Sequence, residues 1–242
     1  MNKKKLRKTE EQVAKASLSQ GGLIWYRFKK NKLAVFGLCM VGILLLICVT
    51  SPLYISWEKV IAQDLSRPFQ PPSFENPFGT DMYGRDMFAR MLRGGIYSLL
   101  SGVGVIMIAL VLGLFFGSLA GYFSGKVDFF IMRGLDIFMC LPFLLLAMTL
   151  VVAFGQSLFS LIFALAIGSF PGLARIVRSS IMTIRDSEYV DAARCYGAST
   201  WKILTKHILP NGIGPVIVST TLMLASTILS IAGLGFLGIG IA

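Results

Sequence analysis

Long uncharged runs of apolar residues divide this sequence, and the first of them covers residues 33–55. None of its 23 side chains carries a charge. A helix rises about 1.5 Å per residue, so roughly 20 residues cross a hydrocarbon core of about 30 Å. Because lipid offers the backbone no hydrogen bonds, a segment that crosses it in this way must be helical. The run therefore predicts a membrane-spanning α-helix.

Four later runs of the same character predict further spans, at residues 96–123, 137–154, 158–174 and 212–232. Only 14% of the residues are charged, whereas soluble domains carry about 25%. We therefore expect an all-α, polytopic membrane protein with five spans. A cytoplasmic basic tail (residues 1–32), which ends in an interfacial helix, precedes one transmembrane domain (residues 33–242).

The positions of the basic residues predict the orientation. The tail, the short turn around residues 126–136 and the loop at residues 175–211 hold 18 of the 23 Lys and Arg residues. Cytoplasmic segments carry such an excess, so the N-terminus and both connections are expected inside and segment 56–95 outside. The net charge of +11 then reflects orientation in the membrane, and no nucleic-acid partner is expected.

The second and third spans carry packing signals. Gly113, Gly117 and Gly121 repeat at intervals of four, which allows another helix to approach closely. Pro142 predicts a kink in the third span. Asp136, near the start of that span, is open to two interpretations. It is either an acid tolerated at the membrane edge or a buried acid in a transport path.

The fourth span has Pro171 and Gly172 near its inner end. A break of the helix at this pair would let Arg175 and Arg178 leave the hydrocarbon core. Segment 56–95 contains a further predicted helix that begins near Asp86, with an ion pair between Asp86 and Arg90. One face of this helix holds Met87, Phe88, Met91 and Leu92. It would lie on the outer surface of the bilayer or contact a substrate.

The longest polar, helix-like interruption is residues 186–211. Asp186 can cap a helix, and Glu188 lies in its first turn, where the helix dipole favours an anion. Residues at i, i+3, i+4 and i+7 form one apolar stripe, namely Tyr189, Ala192, Ala193 and Tyr196. An apolar face in water needs a partner. That partner is either the membrane surface and the chain's own helix ends, or another protein.

Gly197 is predicted to end this helix in the left-handed conformation. Ser199 can cap a second short helix, which Pro210 is expected to stop. The segment is thus predicted to be two short amphipathic helices that meet at a glycine.

This segment contains Ala192 and Ala193, then Gly197 after three residues, then the run His-Ile-Leu-Pro-Asn at 207–211. The pattern resembles the cytoplasmic EAA loop of binding-protein-dependent ABC importer permeases. Asp191 stands where the family has Glu, which keeps the sign of the charge. The resemblance implies that the first helix docks into a cleft on a separate ATPase subunit. Tyr189, Ala192, Ala193 and Tyr196 would then be the contact stripe. Glu188 and Asp191 would set its orientation, and Gly197 the bend.

Residues 78–86, Phe-Gly-Thr-Asp-Met-Tyr-Gly-Arg-Asp, resemble the segment before the second span in peptide and nickel importer permeases. This resemblance implies an ABC importer type I permease-like fold in a bacterial cytoplasmic membrane, with a sixth span usual in the branch. The implied partners are a homologous second permease, two ABC ATPase subunits and an extracytoplasmic substrate-binding protein. The implied substrate is a peptide or a nickel or other metal chelate.

Several kinds of chemistry are absent from the sequence. No G-x-x-x-x-G-K-[ST] pattern occurs, so ATP and Mg²⁺ are expected on the partner ATPases and no cofactor on this chain. The four cysteines lack metal-site spacing and His207 is the single histidine, so no catalytic or metal residue is predicted. The spans hold almost no ionisable groups, which argues against ion-coupled transport. A membrane scaffold or channel subunit without ATPase coupling is the alternative, and no residue of a substrate path is predicted.

Overall fold

The structure is a computed structural model that describes residues 25–26 and 28–239. The predicted basic tail lies mostly outside the described residues. Of its predicted interfacial helix, residues 25, 26 and 28–30 are helical. The described residues contain no β-strand, only an isolated bridge between Thr80 and Asp86. The prediction of an all-α protein is confirmed.

The chain forms two compact units, residues 1–96 and 97–242. The first unit contains α1 (Lys32–Tyr54), α2 (Trp57–Ile61) and the beginning of α3 (Met87–Phe123). The side chain of Asn31 caps α1 by accepting hydrogen bonds from the backbone N–H groups of Leu33 and Ala34, at 3.1 and 3.2 Å. The apolar side chains of α1 are exposed almost all round, as expected of a helix surrounded by lipid or by other helices.

Hydrogen bonds between side chains and backbone groups stabilise the segment between α2 and α3. The hydroxyl of Thr80 donates to the carbonyl of Arg67 and accepts from the N–H of Gln70, both at 2.8 Å. Burial alone would raise the pKa of Asp81. Hydrogen bonds from the backbone N–H and guanidinium of Arg85 and from the N–H of Tyr83 outweigh it, and the pKa lies below its ordinary value.

Asp86 caps α3, and the predicted ion pair with Arg90 is wrong. Its carboxylate is only 6% exposed and accepts from the N–H groups of Phe88 and Ala89 at 2.9 and 3.2 Å. Its ion-pair partner is Lys59, at 3.2 Å. The predicted surface helix is also wrong, because α3 runs unbroken from Met87 into the span. The buried side of its first turns is formed by Ala89 and Leu92, whereas Met87 and Met91 are exposed.

The second unit holds the rest of α3 and seven further elements. These are α4 (Gly125–Cys140), α5 (Phe143–Phe154), α6 (Leu158–Arg185), α7 (Glu188–Cys195), α8 (Thr200–Ile203), a π-helical turn (Leu204–Ile208) and α9 (Leu209–Phe236). Helix α6 is the most buried of the long apolar helices and forms the centre of this unit.

Helix α3 approaches α6 closely through the predicted glycine series. A methyl group on Gly117 would lie 2.5 Å from the carbonyl oxygen of Ala174 and 2.7 Å from Cβ of Val177. A methyl group on Gly113 would lie 3.1 Å from the side chain of Leu173, and one on Gly121 would lie 2.9 Å from the carbonyl oxygen of Arg178. The predicted role of the series in helix packing is confirmed.

The third predicted span is not one kinked helix. The axes of α4 and α5 differ by 87°, and Pro142 stands at the N-cap of α5. The predicted short turn at 126–136 is instead part of the 16-residue helix α4. Among the described residues four helices are long and apolar enough to cross a membrane, or five if α4 and α5 together make one crossing. The larger count equals the predicted number of spans.

Neither Pro171 nor Pro210 ends a helix, so the stop predicted at Pro210 is wrong. Helix α6 continues through Pro171 without a break, and its C-terminal part is buried against other helices. The second short helix does not stop at Pro210 but continues through the π-helical turn into α9. Proline cannot donate a backbone hydrogen bond. Just before Pro210 the N–H of Leu209 bonds to the carbonyl of Leu204, which is the i to i+5 spacing of a π-helix. This wider spacing allows the helix to continue past the proline.

Substitution of Gly117 by Ala should weaken the packing of α3 on α6. The added methyl would press on the backbone of Ala174, which cannot move aside as a flexible side chain can, so we expect a loss of about 1–3 kcal/mol. Gly134→Ala is the control, since the space around Gly134 in α4 is open. Thermal unfolding of the purified protein in detergent checks the prediction. Equal midpoints for the two variants would contradict it.

Candidate functional site

Helix α7 lies in the connection between the central helix α6 and the last long helix. Asp186, the predicted cap, belongs to the end of α6, and Ser187 occupies the N-cap position of α7. The carbonyl of Ser187 accepts from the N–H groups of Val190 and Asp191, at 2.9 and 3.2 Å. Its hydroxyl donates to the carbonyl of Ile184 at 2.6 Å. Glu188 is the first residue of α7, as the sequence predicts.

The C-terminus of α7 is closed by a Schellman motif. The N–H of Ala198 reaches the carbonyl of Ala193 at 3.1 Å, and that of Gly197 reaches Arg194 at 2.9 Å. Gly197 has φ of +74° and no atom near the position of a Cβ. The left-handed end predicted at this glycine is present.

One residue anchors α7 to the membrane domain. Val190 is fully buried in an apolar cluster contributed by α6, α8, the π-helical turn and α9. The other buried members of this cluster are Leu173, Val177, Ile181, Ile203, Leu204, Ile208 and Val216. Ala193 and Ala198 pack against it and are half-buried. The predicted stripe is therefore divided, because Ala193 faces the chain's own core.

The opposite side of α7 is exposed. Tyr189 and Tyr196 are 44% and 91% exposed, and Glu188, Ala192 and Cys195 are exposed as well. The last three follow an i, i+4, i+7 spacing, so they share one face of the helix, and the two tyrosines lie together along one edge of it. The sequence prediction missed both the anchor Val190 and the exposed Cys195, although the same helical periodicity contains them.

Local contacts hold Arg194, the basic residue of α7. Arg194 donates to the carboxylate of Asp191 at 2.8 Å and to the backbone carbonyl of Arg185 at 3.3 Å. Its guanidinium also lies 5.9 Å from the ring centre of Tyr122. Glu188 and Asp191 are both exposed at the N-terminal half of the helix, where the dipole favours anions.

Two ion pairs join α6 to α4 near this connection. Arg178 binds the carboxylate of Asp128 through Nε and Nη2, a bidentate geometry. Arg175 binds Asp136, which also lies 3.4 Å from Arg133. The two arginines thus stay on an unbroken α6 and are neutralised by acids of α4.

These features define a class: a helical membrane protein that presents a short, anchored amphipathic helix between two long apolar helices. Comparison with known families agrees. The model described as "Binding-protein-dependent transport system inner membrane component" matches residues 113–242, which include all of α7. The chain belongs to this family and is a multi-pass inner-membrane protein. Residues 19–72 match a second model, the N-terminal transmembrane domain of oligopeptide transport permease C.

Two relatives from Bacillus subtilis (strain 168) extend over nearly the whole chain. The dipeptide transport system permease protein DppC is 39% identical over 241 residues, which are 100% of this chain and 75% of that protein. The oligopeptide transport system permease protein OppC is 35% identical over 231 residues, 96% of this chain and 75% of that protein. The family likeness is therefore not confined to the loop that contains α7.

Solved structures show the same fold at lower sequence identity. A chain in an inward-facing crystal structure of the MetNI methionine ABC transporter matches with a TM-score of 0.58 and 22% identity. The match covers 64% of this chain and 77% of that chain. The predicted ABC importer permease fold is confirmed.

Replacement of Gly197 by Val should loosen the end of α7. A β-branched residue in the left-handed conformation costs about 1–2 kcal/mol, and no nearby atom adds a clash at this position. Hydrogen exchange at the amides of residues 195–200 should become faster. Gly197→Asn is the control, because Asn tolerates this conformation. Unchanged exchange in the Val variant would contradict the prediction.

Proposed function

We propose that this chain is a permease subunit of an ATP-driven peptide importer, and that α7 is the helix by which ATPase subunits grip it. One observation carries the proposal. Helix α7 is fixed to the membrane domain on one side through Val190 and is bare on the other. A displacement applied to the bare side would therefore move α6 and α9 as well.

The charges of α7 favour a protein partner over the membrane surface. Helices that lie on membranes present Lys and Arg beside their apolar face, because cytoplasmic leaflets are anionic. The exposed face of α7 presents Glu188 and Asp191 instead. Its one base, Arg194, is engaged by Asp191 and by the backbone of Arg185. An anionic leaflet would repel this face, whereas a protein cleft with basic groups would attract it.

The assembly that fits this chain has further members. A homologous second permease would complete the pathway, two ATPase subunits would bind ATP and Mg²⁺, and an extracytoplasmic binding protein would deliver the substrate. The N-terminus and α7 would lie in the cytoplasm. ATPase closure would then rock the long helices between inward-open and outward-open states. On this view the chain itself is no enzyme.

Peptides are the proposed substrates. The relatives described above transport dipeptides and oligopeptides according to their names, and the match over residues 19–72 is to an oligopeptide permease domain. The sequence resemblance alone also admitted nickel or metal chelates. In the reconstituted importer, peptide is expected to stimulate ATP hydrolysis and a nickel chelate is not. If the chelate stimulates hydrolysis and peptide does not, the substrate is a metal chelate and the proposal of a peptide is wrong.

Substitution of Ala192 tests the docking of the ATPases. Ala192 lies in the middle of the exposed face, so Ala192→Arg should release the ATPase subunits during purification and abolish ATP-dependent peptide uptake by membrane vesicles. The fold should not suffer, because substitutions of exposed residues change stability by about 0.5 kcal/mol or less. Ala192→Ser, which adds little bulk and no charge, is the matched control.

Normal co-purification and normal uptake in Ala192→Arg would contradict docking through this face. Peptide flux through the wild-type protein without ATP would favour the alternative of a channel subunit. If the wild-type protein co-purifies with no ATPase, that result would favour the alternative of a membrane scaffold subunit.

A further inference from the structure

Arg185, the last residue of α6, contacts the end of another helix. Its Nη1 donates to the backbone carbonyls of Gly121 and Tyr122, at 3.2 and 3.4 Å, and to the hydroxyl of Ser124. These residues form the C-terminus of α3 and the joint that leads into α4. Through this side chain α6 holds the end of α3 over a separation of more than 60 residues in sequence.

The chemistry of a helix C-terminus explains the contact. The last four carbonyls of a helix have no partner within it and carry the negative end of the dipole. Just beyond α3 the chain turns sharply, with Ser124 and Gly125 at φ of +52° and +57°, so a continuing helix cannot satisfy these carbonyls. A planar guanidinium with five N–H donors can bind several at once.

The backbone of Arg185 contacts α7 at the same time. Its carbonyl accepts a hydrogen bond from Arg194 of α7 at 3.3 Å, and its Nε lies 3.2 Å from the carboxylate of Asp186. The side chain of Arg185 is only 22% exposed, whereas that of Asp186 is 67% exposed. One residue thus contacts α7 through its backbone and the end of α3 through its side chain.

The other arginines of α6 have different partners. Arg178 binds Asp128 in the first turn of α4, and Arg175 binds Asp136 near its end, in both cases through side-chain ion pairs rather than through the terminal carbonyls of α3. Arg185 is therefore placed where a displacement of α7 would pass to the α3–α4 joint. We propose that Arg185 is a positioning residue that makes the C-terminus of α3 move together with α7. This inference rests on the proposed function, since it requires ATPase subunits that displace α7.

Two substitutions test this role in the complete importer, reconstituted with its ATPase subunits and binding protein. Arg185→Met keeps the length of the side chain and removes every donor, whereas Arg185→Lys keeps the charge and some donors. In the Met variant the ATPases should still co-purify, because the exposed face of α7 is unchanged. The number of ATP molecules hydrolysed per peptide imported should rise roughly tenfold, within the usual range of coupling between sites.

The Lys variant should recover part of this ratio. Lys202→Met is the matched control, because Lys202 is an exposed base of the same connection and should leave the ratio unchanged. A purely structural role for Arg185 predicts another result: less assembled importer, with hydrolysis and uptake reduced in proportion and their ratio constant. That result would overturn the inference.

A distance measurement tests the movement itself. Spin labels can be placed at Ser199→Cys, in the connection that follows α7, and at Lys126→Cys at the start of α4, both exposed, after the four native cysteines are replaced by Ala. With Arg185 present, the distance between the labels should stay constant when ATP binds. With Arg185→Met it should change or its distribution should broaden. The inference would be contradicted if the distance between the labels changed or broadened equally in the protein with Arg185 and in the Arg185→Met variant.

Failure of this inference differs from failure of the proposed function. If Ala192→Arg releases the ATPases while Arg185→Met leaves the ratio unchanged, docking through α7 stands and the role of Arg185 falls. If Ala192→Arg leaves ATPase binding intact, the proposed docking falls before Arg185 is considered.

Discussion

The close packing of α3 against α6 is the interaction on which the second unit depends. Apolar side chains gain little by leaving lipid for a helix interface, so helices in a membrane associate mainly through van der Waals contact. Gly117 brings the backbone of α3 against that of α6, with room for a hydrogen atom but not for a methyl group. Gly113 and Gly121 extend this contact by about one turn in each direction. The position of α6, and of everything that α6 carries, follows from it.

Helix α6 carries the connection to α7 because it stays one continuous rod. A break at Pro171 would have separated the C-terminal end of α6, with Arg178 and Arg185, from the part packed against α5. The helix instead passes the proline while its neighbours bury this region. Tertiary packing thus compensates for the hydrogen bond that proline removes. An unbroken α6 can transmit a force applied at its end to its buried centre.

The sequence predicted the features that depend on local rules. Uncharged runs located the long helices, and the glycine spacing located a helix contact. Glu188, Gly197 and Ser199 marked the ends of the two short helices at the positions that the structure shows. Apart from the cap of α7, which is Ser187 and not Asp186, the failures concern residues whose environment depends on distant parts of the chain.

Three residues show why those failures occurred. Pro171 and Pro210 are helix-breaking signals in isolation, but a packed environment and a π-helical turn accommodate them. The burial of Val190, rather than of Tyr189 or Ala192, depends on where α6, α8 and α9 meet. Periodicity shows that α7 has two faces, whereas only the assembled helices decide which face points inward.

The shortness of α7 makes this anchoring decisive for its proposed function. An isolated helix of eight residues is not stable in water, because nucleation costs more than so few hydrogen bonds return. Helix α7 exists because Val190 is buried and because its end is closed by the Schellman motif at Gly197. Its shape is therefore set by the membrane domain before any partner arrives. A preformed helix loses little conformational freedom on docking, and a partner of the kind proposed would move the helices to which α7 is fixed.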